Sequence, residues 1–245
     1  MRHRLTTIGL TLASVIALGA AGPNNTILVD NFNDGNAAGW DQNDFTGVGV
    51  FDASSGSYLI ESSVPIAIDD PSVGTIESHY ERSLELPRFA NGKIRCTVRA
   101  NTYGTTVGFL IRDNENTESD YGFYGSTSFG TFYIERFEFD KNPDAPQTII
   151  AMADPGKFPF VAGQTYILEG SVVGKKLTLK AWRLGDPEPT KPTLSVTDKV
   201  LKPGAGNRIS VLLFFDPAPL TEAGVTEVQV SGTFDDITFT PGASR

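Results

Sequence analysis

The segment TIESHYERSLEL carries the side chains best equipped for chemistry: Glu77, His79 and Glu81, at alternate positions. On a β-strand such residues face one way, spaced about 6.6 Å per two residues. Two carboxyl groups and an imidazole would then line one face and could exchange protons with a substrate. His79 is the only histidine besides His3, so a Ser-His-Asp or Cys-His nucleophile would have to use it, and no nucleophile-elbow motif accompanies it. A zinc site would need more His or Cys than the chain holds. The wet side of any strand produces polar triplets of this kind, so Glu77, His79 and Glu81 stand as candidates and no catalytic set is assigned.

A second group is acidic. VDNFNDGNAAGWDQND, residues 29–44, crowds Asp and Asn around Phe32 and Trp40. An EF-hand loop takes oxygen ligands at alternate positions, and counting from Asp30 the third position is Phe32, which excludes that loop. Asp34-Gly35-Asn36 reads as a turn and Trp40 as a core or sheet-edge anchor. A third group is aromatic. If Leu177 and Leu179 are core, Lys180 and Trp182 project to the opposite side. By the same alternation Tyr133 and Glu135 oppose Phe132 and Ile134, and Tyr121 and Tyr124 sit on a neighbouring strand. Aromatic faces beside carboxylates suit a sugar, whose C–H face stacks while its hydroxyls take directional hydrogen bonds. Aromatics on a sheet more often serve packing.

The elements that would position these groups are strands. KIRCTVRA alternates Ile94, Cys96, Val98 and Ala100 with Lys93, Arg95, Thr97 and Arg99, one face for a core and one for water. TVGFLIRD, FGTFYIERFEF, TYILEGSVV, KLTLKAWRL, NRISVLLFF and TEVQVSGTFDDITFT continue the pattern between Asp, Asn, Gly and Pro clusters. A dozen or so short strands without a βαβ rhythm predict a two-sheet antiparallel sandwich. The proline-rich run GDPEPTKP, Gly185 to Pro192, reads as an exposed connection within one domain spanning residues 22–245. Cys96 is the one cysteine, so no internal disulfide supports the core.

Arg2, His3 and Arg4 precede an apolar run from Ile8 to Ala20 that ends in small residues, the layout of a secretory signal peptide over residues 1–21. The run is shorter than the roughly 20 residues a membrane span requires. The expected location is extracellular or periplasmic. A formal charge of -9 repels nucleic acid and anionic lipid.

The run GFLIRDNENTESDYGFYGSTSFGTFYIERFEF, then FVAGQTYILEGSVVGKKLTLKAWRLGDPEP, closed by GTFDDITF, resembles the jelly-roll domains of the concanavalin A-like lectin/glucanase superfamily, in particular laminin-G-like modules of secreted bacterial proteins. The resemblance covers Leu28 to Thr240 and is a pattern of strands and turns. It implies an all-β, two-sheet antiparallel jelly roll in which the first strand lies near the last. Asp30 and Asn31 would then approach Asp235 and Asp236, a group that a structural calcium ion would neutralise. It also implies a concave sheet where superfamily lectins hold sugar, with Tyr121, Tyr124, Tyr133, Glu135, Lys180 and Trp182 as ligand-binding candidates. Hydrolases of the superfamily carry Glu-x-Asp-x-Glu on a cleft strand, with one Glu as nucleophile and the other as acid/base. His79 replaces the central Asp here, and a tryptophan-rich cleft is lacking. The expected function is a secreted non-catalytic module that recognises a polysaccharide or glycan, or adheres to an extracellular protein. A glycoside hydrolase using Glu77 and Glu81 is the alternative, and a structural envelope-associated protein the third reading.

Overall fold

The structure, a computed structural model, describes residues 26–44, 46–65, 75–80, 91–114, 119–138, 141, 146–200, 208–215 and 227–242. Residues 1–21, read from the sequence as a signal peptide, and Glu81 lie outside them. Among the described residues no helix is long and apolar enough to cross a membrane.

In chain order the strands are β1 (Ile27–Asp30), β2 (Trp40–Asp44), β3 (Val50–Asp52), β4 (Tyr58–Pro65), β5 (Thr75–Tyr80), β6 (Gly92–Ala100), β7 (Thr105–Asn114) and β8 (Ser119–Ser126). They continue as β9 (Thr131–Glu138), β10 (Gln147–Met152), β11 (Thr165–Val173), β12 (Lys176–Arg183), β13 (Leu194–Thr197), β14 (Arg208–Phe215) and β15 (Glu227–Pro241). One eight-stranded sheet runs β13-β12-β11-β6-β15-β4-β3, with β1 added on β15. The other, seven-stranded, runs β10-β9-β8-β7-β14-β5-β2. All pairings among the described residues are antiparallel, the all-β two-sheet sandwich that period-two patterning predicts.

The inner faces meet as alternation demands. On β6, Ile94, Cys96, Val98 and Ala100 are all fully buried. Facing them from the other sheet stand Val107, Phe109 and Ile111 of β7, Tyr121 and Phe123 of β8, Phe132 and Ile134 of β9, and Ile209, Val211 and Leu213 of β14. Two glycines of the eight-stranded sheet are dents that receive this opposing layer. A Cβ on Gly170 would stand 2.7 Å from the Phe123 ring, and one on Gly232 would stand 2.6 Å from Val107. Close packing at such points fixes how the sheets sit on one another.

Among the described residues three non-glycines adopt positive φ: Phe32 (49°), Arg112 (63°) and Asp236 (48°). Arg112 lies where the register shifts between β7 and β8, after Ile111. The bulge turns an otherwise outward position across the sandwich. The guanidinium, 3% exposed, reaches over the Tyr121 ring and donates to the carbonyl of Gly174 at 2.7 Å. Gly174 and Lys175 form a two-residue hairpin between β11 and β12, and Gly174 at φ 61° supplies the conformation such a loop requires. Arg112 thus ties the two sheets together at one end.

Candidate functional site

The outward side of a sandwich sheet is ordinarily polar. On the seven-stranded sheet it carries a second apolar cluster, separate from the core: Leu110, Tyr124, Tyr133 and Leu212, with Phe129 and Phe214 packed against it. Register explains the assembly. Leu212 pairs with Gly108, Gly108 with Tyr124, and Tyr124 with Tyr133, so one row crosses four strands with its side chains on the same face. The ring centroids of Tyr124 and Tyr133 are 5.1 Å apart, Phe214 meets Tyr124 edge-on at 5.2 Å, and Phe129 meets Tyr133 edge-on at 5.8 Å. Tyr124 lies against the sheet because two glycines leave room. A Cβ on Gly108 would stand 2.4 Å from its ring and one on Gly122 2.1 Å. Tyr124 and Tyr133 are buried, whereas Phe129 and Phe214 are partly exposed.

Polar groups flank this row. Glu135 is 7% exposed on β9, and its register partner is Gly122. On the β7–β14 side, Arg208 donates to Asp113 Oδ1 at 2.9 Å, and the Ser210 hydroxyl donates to Asp113 Oδ2. The same register reaches the candidates of β5: Glu77 pairs with Leu212 and His79 with Ser210. Backbone pairing therefore puts Glu77 in the row of Tyr124 and Tyr133, and His79 in the row of Ser210, Leu110 and Glu135.

The six ligand-binding candidates do not share a face. Tyr121 is fully buried between the sheets, a correction that follows from parity, since residues three apart on a strand point opposite ways. Tyr124, Tyr133 and Glu135 belong to the outward face of the seven-stranded sheet. Lys180 and Trp182 belong to the outward face of the eight-stranded sheet, and Trp182 is 6% exposed beneath the Arg95 guanidinium, 5.1 Å from its ring centroid. Phe129 and Phe214 were not foreseen. Phe129 stands in the β8–β9 turn, and Phe214 lies within an apolar run, VLLFF, in which alternation is lost.

The acidic opening stretch resolves into turns and an anchor. Asp30 Oδ1 accepts the Phe32 amide at 2.9 Å and Oδ2 the Trp40 indole N–H at 2.8 Å. Asn31, Asp34 and Asn36 each cap the amide two residues on, the Asx-turn habit of these side chains. Phe32, Trp40 and Tyr58 pack ring to ring, with Phe32 stacked on Tyr58 at 5.0 Å. β1 does pair with β15, Ile27 with Phe239 and Asp30 with Ile237. The expected calcium group of Asp30, Asn31, Asp235 and Asp236 does not fit a cage: Asp30 spends both oxygens on internal donors, and Asp235 Oδ1 accepts the Asp236 amide at 2.7 Å. Among the described residues no group of three or more His, Cys, Asp or Glu is gathered to hold a metal.

Asp235 nevertheless feels the crowding. Burial first, then the charges of Asp236 and Asp30, raise its carboxyl above an ordinary value of 3.8. A raised native carboxyl binds its proton more tightly than the unfolded chain does, so stability falls as pH rises through the interval above 3.8. Asp235→Asn is therefore expected to raise Tm at pH 7, and to lose that advantage by about pH 2.5, where the aspartate is protonated in both states. Thermal melts of both proteins at the two pH values read this directly.

No family model and no curated protein matches the sequence. Solved structures do. The carbohydrate-binding module CBM66 from Bacillus subtilis superposes with TM-score 0.54 at 12% identity, over 84% of this chain and 97% of that one. A Bacillus licheniformis beta-glucanase gives 0.53 at 12%, over 89% and 98%. The Ca2+-bound exoplasmic/lumenal domain of VIP36 gives 0.54 at 8%, over 91% and 93%. At such identities what is shared is the fold alone, a two-sheet antiparallel jelly roll.

Proposed function

We propose that this protein is a secreted, non-catalytic jelly-roll module that binds a polysaccharide through the outward face of its seven-stranded sheet. The observation that carries the reading is the aromatic row there, with Tyr124 and Tyr133 as a buried base and Phe129 and Phe214 as its partly exposed rim. A rigid aromatic base needs little ordering on binding, and the partly exposed rings of Phe129 and Phe214 offer stacking to a sugar's C–H face. The neighbouring structures support the same direction, since one is a carbohydrate-binding module and another a glucanase.

The test is a polysaccharide and glycan array, with and without calcium, in which the same wells are assayed for released reducing ends. Binding without release is expected. Phe214→Ala should weaken it at least about tenfold, equivalent to 1.4 kcal/mol, with little change in Tm. Tyr133→Ala should lower both affinity and Tm, because its ring is 1% exposed. Binding untouched by either substitution would remove this face from the function.

The register of β5 favours one second reading. Glu77 shares a backbone register row with the aromatic pair, and a glycoside hydrolase would use it together with Glu81. Release of reducing ends that disappears in Glu77→Gln would replace the binding reading with that one. Silence in both channels would leave adhesion to an extracellular protein or a structural envelope role.

A further inference from the structure

The outward face of the eight-stranded sheet holds charges that the reading above does not use. Thr238, Arg95, Glu169 and Lys180 form one register row across β15, β6, β11 and β12. Glu169 is 7% exposed. Its Oε2 accepts from Arg95 Nε at 3.0 Å and from a terminal guanidinium nitrogen at 2.7 Å. Lys93 Nζ lies 3.2 Å from the same oxygen, and Lys180 Nζ lies 4.0 Å from Oε1. One sunken carboxylate thus orients three cations and leaves positive charge to be met from outside.

The chain meets it with its own Glu188, carried by the connection between β12 and β13. Glu188 Oε1 accepts from Lys180 Nζ and Oε2 from Arg95, both at 2.6 Å. The Lys180 hydrogen bond above all, with the hydrogen bond and charge of Arg95, holds the Glu188 carboxyl below the usual carboxylate range against the opposing effect of burial. Arg95 is held on its other side by the Trp182 ring. Glu188 and the residues from Arg183 to Pro187 are all exposed, so the carboxylate can swing away without uncovering the core.

We propose that Arg95 and Lys180 form a carboxylate-binding site, filled in the resting molecule by Glu188 and available, when Glu188 is displaced, to the uronic-acid carboxylate of an acidic polysaccharide. The proposal goes beyond the function proposed above, since it concerns the opposite sheet. Its surroundings favour a sugar. Thr97, Ser171, Thr178 and Thr238 present partly exposed hydroxyls on the same face, complementary to ring hydroxyls beside the carboxylate. An acidic peptide would be held best by adding to a strand edge, and β6, β11 and β12 are each paired on both sides.

Calorimetric titration with tri-galacturonic acid tests it, with cellotriose as the uncharged probe and hexaglutamate as the acidic peptide. E188Q should bind tri-galacturonic acid at least about tenfold more tightly than the unaltered protein. The gain should vanish in E188Q/K180A and weaken strongly at about 0.5 M NaCl, while cellotriose shows no difference between E188Q and the unaltered protein. Phe214→Ala should weaken binding at the aromatic face yet keep the uronate response, so failure of one reading is seen separately from failure of the other. Equal affinity with and without Glu188, binding that survives K180A, hexaglutamate bound as tightly as the uronate, or no uronate binding by any variant would each overturn the proposal.

Discussion

Phe123→Ala is expected to lower the stability of the folded state by about 3–5 kcal/mol, the range for emptying a buried aromatic site. Phe123 is fully buried, stacks on Phe109 with centroids 5.7 Å apart, and fills the dent made by Gly170 on the opposite sheet. Removing the ring leaves a void walled on one side by a glycine. That wall has no side chain to move inward, so the cavity cannot relax away and the loss should fall in the upper part of the range. Chemical denaturation followed by intrinsic fluorescence measures it through the midpoint. A midpoint close to that of the unaltered protein would mean that the sheets do not rest on this contact.

The second large effect is expected at Gly108, on the outward side of the same strand pair. Alanine there would put Cβ 2.2 Å from the Phe123 carbonyl oxygen as well as 2.4 Å from the Tyr124 ring. A ring can swing, but a main-chain oxygen within a hydrogen-bonded pair cannot move without parting β7 from β8. Overpacking commonly costs about 1–3 kcal/mol, and a main-chain obstacle places this substitution at or above the top of that range. Because Tyr124 loses its bed, saccharide binding should fall together with Tm. A stable Gly108→Ala protein with unchanged binding would show that the Tyr124 ring need not lie against the sheet.

How far the sequence discloses this arrangement depends on what alternation encodes. In KIRCTVRA it separates buried from outward residues without error, because β6 is paired on both sides and lies flat on a core. The approach of β1 to β15 was also legible, from the resemblance of LVDNF and TFDDITF to terminal strands of known jelly rolls. Alternation says in or out and is silent about which sheet. Trp182 and Tyr133 both read as outward, and they are, but on opposite sides of the molecule. It also fails at bulges: Arg112 shares parity with Leu110, and only the register shift after Ile111 turns it across the sandwich. Phe214 escaped for a different reason. Where the outward face is itself apolar, as along VLLFF, both faces carry the same kind of side chain and the period of two has no contrast to reveal it. The charged row joins Arg95 of β6 to Glu169 and Lys180 of a hairpin more than seventy residues further on, and Glu188 comes from a loop, so no local spacing announces them.

The placing of β15 has a consequence for how the molecule comes into being. It is the last of the described strands in chain order, yet it stands in the interior of the eight-stranded sheet, with β6 along one side and β4 and β1 along the other. While the chain is being synthesised, β4 and β6 have no neighbour on the sides that β15 will occupy, and their free amides and carbonyls are open to wrong partners. Closure requires contacts between residues as far apart as Ile27 and Phe239, a loop-closing cost met before the contacts can repay it. Completion of this sheet therefore waits until β15 has been made, and the nascent chain depends until then on being kept from pairing with its own kind.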